Sequence, residues 1–310
     1  MESKKLLVTA SPHLTDGSST MGLMVHVIIA LVPAWIASVL IFGLRALAVS
    51  AVTVIACVVF EALYNILMKK PQTIGDCSAV VTGIILAFNL PASIPLWIAV
   101  VGAFVAIVVT KQLFGGLGMN FANPALVGRI ALFIGFAARM TNYTPPEGAL
   151  DGMASATPLA LAKTQSGIAM LKDLLLGTHP GMLGETCAVA LILGGIYLIA
   201  TKTISPAVPV SYLATVAVMC VLLGQDVVLH LLSGGLLLGA FFMATDYVTS
   251  PFTLKGKIVF GIGLGIITCA IRFYGNMNEG VSFAILLMNL VVPYINDLTR
   301  QKPLGGANAK

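Results

Sequence analysis

Charge is what this chain has least of. Only 9% of its 310 residues are Asp, Glu, Lys or Arg, against about a quarter in an ordinary soluble domain. With 58% hydrophobic residues and a mean hydropathy of +1.00, that deficit excludes a water-soluble globular protein and points to an integral membrane protein. Cysteine is sparse as well. Cys57, Cys77, Cys187, Cys220 and Cys269 stand singly, with no CxxC or Cys/His spacing, which argues against a metal or iron–sulfur site built from this chain alone. Their odd number gives no disulfide framework. No glycine fingerprint for a nicotinamide cofactor is present, and there is no soluble domain to receive one. The first 21 residues lack a continuous apolar core, so no cleaved signal peptide is expected and the first span acts as its own signal. The net charge of +5 does not call for nucleic acid, because the basic residues fall in short loops where topology explains them.

What remains is apolar, and the length leaves room for about ten spans of roughly 20 residues. The expected spans are Met21–Phe42, a second ending near Met68, a short third over Cys77–Leu90, Ser93–Leu113 and a short fifth over Ala125–Ala138. After a long polar interval come a sixth from Glu185 to about Thr201, then Pro206–Leu223, Val227–Ala244, Ile258–Phe273 and Val281–Ile295. The third holds only about 14 residues before Pro91, too few to cross fully. Thr82-Gly83 lies inside it, so a broken or partly re-entrant helix is expected there. The chain thus divides into a tail over 1–21, a first half over 22–138, an interval over 139–184, a second half over 185–296 and a tail over 297–310.

Basic residues set the orientation. Ten spans place Lys4, Lys5, Lys69, Lys70, Lys111, Lys202, Lys255, Lys257, Arg300, Lys302 and Lys310 on one side. Arg45, Arg139, Lys163, Lys172 and Arg272 fall on the other. The bias puts both termini in the cytoplasm and the 139–184 interval outside. A weak echo joins Gly118-Met119-Asn120 to Asn276-Met277-Asn278, and Thr82-Gly83 to Ser233-Gly234-Gly235. Two inverted five-helix repeats with broken helices meeting near the midplane would account for it.

The stretch Asp151-Gly152-Met153-Ala154-Ser155-Ala156-Thr157-Pro158-Leu159 lies within the longest polar interval. Small residues precede a threonine that a proline then holds out of regular structure. Read by itself, Thr157-Pro158 before Leu159-Ala160-Leu161 is an N-cap followed by an N1 proline. It is equally an accessible hydroxyl with small neighbours, as attachment of a phosphoester requires.

With Thr157 go Gly75-Asp76-Cys77-Ser78-Ala79-Val80-Val81-Thr82-Gly83, Asn89-Leu90-Pro91, Gly118-Met119-Asn120-Phe121-Ala122-Asn123-Pro124, Gly181-Met182-Leu183-Gly184-Glu185-Thr186 and Ala244-Thr245-Asp246. On these motifs the chain resembles the D subunits of Rnf-type ion-translocating ferredoxin:NAD oxidoreductases, and more distantly the B subunits of sodium-pumping NADH:quinone reductases. The resemblance implies FMN joined through its phosphate to Thr157 by a separate flavin transferase, which recognises an Asp-x-x-(Ser/Thr)-Gly-Ala-Thr pattern. Asp151, Ala156 and Thr157 match it. Ala154 stands where a hydroxyl residue is usual, and Ser155 where glycine is usual. It further implies non-covalent riboflavin as a second flavin, partner subunits including another flavin subunit and iron–sulfur subunits, and a place in a bacterial or archaeal cytoplasmic (inner) membrane. The expected function is electron transfer through FMN, coupled by the complex to sodium or proton movement.

Several other residues are candidates. Arg129, costly in lipid, should face protein, water or a cofactor phosphate. Glu185 and Thr186 close a glycine-rich turn that could aim backbone N–H groups at a flavin ring or phosphate, or serve as a helix cap. Asn120 and Asn123 either line a cavity or cap the helix that starts at Pro124. Glu61, His26 and His230 read as interfacial or interior polar groups as readily as an ion relay, and Asp246 as an interfacial charge. The rival reading is a channel or secondary transporter for a small solute, which broken helices and inverted repeats would also suit. It leaves the threonine stretch unexplained.

Overall fold

The structure is a computed structural model describing residues 19–143, 145–146, 157–160, 171–275 and 280–300. Asp151, Ser155 and Ala156 lie outside the described residues, as does the Asn276-Met277-Asn278 echo. Among the described residues the regular structure is helical throughout. Long apolar runs explain this, since a helix satisfies every backbone group within its own segment where no water can.

Helix α1 (Thr20–Phe42) begins where the Ser19 hydroxyl accepts from Gly22 N at 3.1 Å. It turns directly into α2 (Leu44–Leu67) through Gly43, whose φ of +68° belongs to glycine. A 3-10 turn (Ile74–Asp76) leads to α3 (Ser78–Phe88). Helix α4 (Leu96–Phe104) runs on as a π-helical stretch (Val105–Gln112), followed by α5 (Pro124–Gly135) and the short α6 (Ala137–Met140). Beyond the interval come α7 (Leu171–Leu176), α8 (Ala188–Ala200), α9 (Ala207–Leu222) and α10 (Val227–Leu232). Then follow α11 (Leu236–Leu238), continued by a second π-helical stretch (Gly239–Met243), α12 (Leu254–Tyr274) and α13 (Val281–Thr299).

Four of these, α1, α2, α12 and α13, are long and apolar enough to cross a membrane. The shorter apolar helices are α3, α4 with its π continuation, α5, α8 and α9. With the interrupted α10–α11 segment they make ten apolar segments among the described residues, as the sequence led one to expect of an all-α membrane protein.

The break is in a different place. Helix α3 is short but continuous through Gly83, because that glycine packs against the α2 backbone, where a Cβ would lie 2.8 Å from Val54 Cα. The interruption occurs between α10 and α11, at Ser233-Gly234-Gly235. Gly234 and Gly235 both take left-handed φ, +68° and +67°, which L side chains resist.

Helix α1 packs on α8, α2 on α3 and α4, α9 on α12, and α5 reaches across to α13. Glycine allows the closest crossings: Gly194 on α8 lies directly against the Ala30 carbonyl of α1. In lipid, tight van der Waals contact between small residues replaces the hydrophobic drive available in water. Buried polar groups therefore come largely in satisfied sets. Tyr212 and Thr268 join α9 to α12 at 2.6 Å, and His26 Nδ1 meets the Tyr197 hydroxyl at 2.9 Å.

Candidate functional site

Thr157 starts a helical turn over residues 158–160, and its Oγ1 accepts from Ala160 N at 3.4 Å. The N-cap geometry that the sequence offered is thus realised. The hydroxyl is not the freely accessible group that attachment alone would favour, since Thr157 is only 6% exposed. Two residues on, Leu159 seats on Gly234: a Cβ there would collide with Leu159 Cδ1 and lie 2.9 Å from Arg272 Nη2. The two-glycine break in the α10–α11 segment is the socket that receives the threonine turn.

Arg272, on α12, builds that socket. Its Nη1 donates to His230 O at 2.6 Å, and its Nη2 to Ser233 O at 3.0 Å and Gly234 O at 3.2 Å. These are carbonyls released where α10 stops, and a planar five-donor guanidinium can span them. In the charge count Arg272 had only a place among the loop charges, and no local pattern marks it as a clamp. His230, also buried, stacks edge-on against Phe273 with ring centroids 4.9 Å apart.

On the far side of the socket, Gly235 abuts Glu185, whose Oε1 would be 2.5 Å from a Cβ placed there. Glu185 faces Arg129 at 3.6 Å, and Arg129 Nη1 donates to Asn89 Oδ1 at 2.8 Å and Ser282 Oγ at 2.6 Å. Arg129 therefore faces protein, as its cost in lipid demands.

Three amides of the turn carrying Glu185 are already engaged. Leu183 N donates to Leu90 O, Gly184 N to Phe88 O and Glu185 N to Met182 O, at 3.1, 2.9 and 3.1 Å. Helix α8 starts only at Ala188, so Glu185 and Thr186 do not cap it. Packing on the end of α3 takes up the amides of Leu183 and Gly184, and the turn itself that of Glu185, so these three N–H groups are not open to a flavin.

Two side chains at this turn carry unpaired polar atoms. Thr186 is 1% exposed and its Oγ1 has no hydrogen-bond partner among the described residues; His179 is 8% exposed and its Nε2 has none there either. Both flank Gly181, where a Cβ would lie 3.2 Å from Thr186 Cγ2 and 3.7 Å from His179 Cε1. Burial pushes the His179 imidazole below the usual histidine range, which favours its neutral form. Native proteins leave few such groups unpaired, because each costs about 1–3 kcal/mol of desolvation.

A second polar centre lies elsewhere. Lys111, which the charge count assigned to a loop, is buried. Its Nζ donates to Glu61 Oε1 and Oε2 at 3.2 and 3.0 Å and to Ser78 Oγ at 2.6 Å. The Thr73 hydroxyl donates to Glu61 Oε1 at 2.6 Å. Glu61 is thus an interior ion-pair partner. Lys111 opens on a cavity of about 80 Å³, also lined by Asn120, Asn123, Phe241 and Asp246. Asn123 both caps α5, through Ala125 N at 3.1 Å, and reaches Met243 O at 3.3 Å. Asn120 lines the cavity while donating to Ala122 O at 3.0 Å. Asp246, at its rim, has its carboxyl pushed up by burial, with Thr249 opposing the shift. The structure does not bring Asn120 into the Arg129–Glu185 cluster.

The sequence pattern of the NQR2, RnfD, RnfE family matches residues 7–305. The chain belongs to this family. A member from Acetobacterium woodii, named as the D subunit of a Na(+)-translocating ferredoxin:NAD(+) oxidoreductase complex, is 47% identical over 100% of this chain and 98% of its own length. One from Clostridium ljungdahlii, named for a proton-translocating complex of the same kind, is 40% identical over 96% of each. A third, the D subunit of an ion-translocating oxidoreductase complex from Actinobacillus succinogenes, is 36% identical over 98% of this chain and 99% of its own. Family members thus carry names specifying different ions.

Proposed function

We propose that this chain is the D subunit of an ion-translocating ferredoxin:NAD oxidoreductase complex and carries FMN as a phosphoester on Thr157. The observation that carries the reading is the placement of Thr157: a hydroxyl at the cap of a helical turn, held by Leu159 on Gly234. Arg272 and Glu185 line that socket, Arg129 pairs with Glu185, and the next turn carries two orphaned polar atoms, Thr186 Oγ1 and His179 Nε2. Buried polar groups without partners fit a polar ligand that the chain does not itself supply. FMN, when bound, supplies electron transfer in one- and two-electron steps. The chain's own residues hold and shield it: Arg272 fixes the socket, and Arg129 with Glu185, Asn89 and Ser282 forms its buried floor.

In this reading electrons reach the chain from partners, including a second flavin subunit and iron–sulfur subunits, and the complex couples their passage to sodium or proton movement. A flavin transferase loads Thr157, recognising Asp151 and Ala156 ahead of it, with Ser155 in the place of the usual glycine. Riboflavin held non-covalently belongs to the same proposal. The two five-helix halves, 22–138 and 185–296, are inverted, with the α1–α8 and α5–α13 contacts joining them. Both termini lie in the cytoplasm of a cell with this inner-membrane complex, and the Thr157 interval faces outward.

Intact mass and in-gel ultraviolet fluorescence of the denatured chain, produced with a flavin transferase, test this against Thr157→Ala. The expected result is a fluorescent band with one FMN-ester increment, absent from the variant, while acid extraction releases any riboflavin separately. A wild-type chain with no increment despite an active transferase would overturn the reading.

A further inference from the structure

We propose that the contact of Leu159 with Gly234 is a latch that governs when Thr157 can be loaded. Docked, the turn withholds its hydroxyl, and flavin transfer takes place on the undocked turn. The inference rests on the covalent-flavin reading above and deepens it, because it concerns the order of loading and docking rather than the identity of the acceptor. Three observations carry it.

First, the acceptor is hidden. Thr157, Pro158 and Leu159 are all buried, and Thr157 Oγ1 already accepts from Ala160 N at 3.4 Å. Loading requires the opposite. The hydroxyl oxygen must bond to the flavin-side phosphorus of a flavin dinucleotide, in line with the P–O bond that breaks. The nucleoside monophosphate leaves, and the hydroxyl proton passes to a base of the transferase. A phosphorus atom with its own oxygens, carried by an enzyme, cannot approach the oxygen of so enclosed a residue.

Second, the socket is built without the turn. A Cβ on Gly234 would collide with Leu159 Cδ1, so glycine is what lets the leucine seat, and the φ of +68° makes the same demand. Arg272 holds the carbonyls of Ser233 and Gly234 at 3.0 and 3.2 Å, bonds in which the turn takes no part. Third, what the socket grips is apolar. Leu159 meets it through the Cδ1 methyl, a contact with no directional bond, and Pro158 before it has no N–H to give up. Undocking exposes apolar surface without breaking a polar bond at the socket. The rate of loading then follows the fraction of chains whose turn is open.

The full-length chain, produced without transferase and purified flavin-free in detergent, is given the transferase and a flavin dinucleotide, and intact mass follows the FMN-ester increment with time. Leu159→Ala empties the socket from the turn side. Gly234→Ala fills it from the other side and leaves the sequence around Thr157 as it stands. Cutting a buried leucine to alanine ordinarily shifts a packing equilibrium more than about tenfold. Both variants should therefore load about tenfold faster than wild type, or more. Leu159→Met keeps a terminal methyl of similar reach and loads near the wild-type rate. The buried Cys57, Cys220 and Cys269 stay unreactive to maleimide in any variant that has kept its fold. With transferase present during synthesis, before the turn docks, wild type loads fully and the difference disappears.

Equal loading rates in wild type, Leu159→Ala and Gly234→Ala would overturn the proposal, since the docked hydroxyl would then be open to the enzyme. So would slower loading in Leu159→Ala with Gly234→Ala unchanged, which would make Leu159 a residue that the transferase reads. A wild-type chain that takes no increment even when the transferase is present during synthesis overturns the covalent-flavin reading itself. The missing mass tells that outcome apart from a failed latch, in which the chain is loaded at the same rate whatever the state of the socket.

Discussion

Replacing Lys111 by methionine keeps an unbranched chain one atom shorter and removes its charge. The ammonium is the centre of a closed set: 3.0 Å from Glu61 Oε2, 3.2 Å from Oε1 and 2.6 Å from Ser78 Oγ. The substitution leaves the Glu61 carboxylate buried with the Thr73 hydroxyl at 2.6 Å and no countercharge. Removing one partner of a buried pair costs about 3–5 kcal/mol, whereas replacing both by neutral groups of similar volume is often close to neutral. Lys111→Met should therefore destabilise the folded chain by roughly that amount, and Lys111→Met with Glu61→Gln should recover most of the loss. Cys57, Cys220 and Cys269 are buried and react with a fluorogenic maleimide only once packing is lost. Dye reactivity on heating in detergent therefore reports unfolding. A Lys111→Met protein as stable as wild type, or a double variant no better than the single, would refute the reasoning.

Two further perturbations probe the scaffold. Gly194→Ala places a Cβ against the Ala30 carbonyl. The resulting separation of α1 from α8 should cost about 1–3 kcal/mol, seen as a lower midpoint in the same assay. Arg272→Lys keeps the charge but cannot span His230, Ser233 and Gly234 with one ammonium. Amide exchange at Leu236–Leu238 should speed up and overall stability fall by about 1–3 kcal/mol; unchanged exchange there would show that the clamp does not hold the socket.

Most of the fold was legible because lipid demands long apolar runs, and these declare themselves. The first span, expected at Met21–Phe42, is Thr20–Phe42. The break was harder to place, because Thr82-Gly83 and Ser233-Gly234-Gly235 look alike in sequence. A single glycine that admits a neighbouring helix keeps its α-helical dihedrals, whereas two in left-handed conformation end the helix. Lys111 misled the charge count because a basic residue at the end of an apolar run is ordinarily interfacial; only Glu61, fifty positions earlier, draws it inward. Thr157 was legible both as a cap and as an attachment point. His179 was not, since the Gly-Thr-His-Pro-Gly stretch reads as a plain loop and nothing local signals that Nε2 is buried. Arg129 was legible as an inward-facing residue, while its partners Asn89 and Ser282, on other segments, were not.

The two π-helical stretches, Val105–Gln112 and Gly239–Met243, bear on how the family can change its length. An α-helix turns about 100° per residue, so deleting a residue within one ordinarily rotates everything beyond the cut onto the wrong face. A π turn holds one residue more than an α turn. Losing that residue regularises the helix while the parts on either side keep their facing. Among the described residues these stretches, one ending at Lys111 and Gln112 and the other carrying Phe241 and Phe242, are therefore places where the chain can shorten by one residue without re-registering its core.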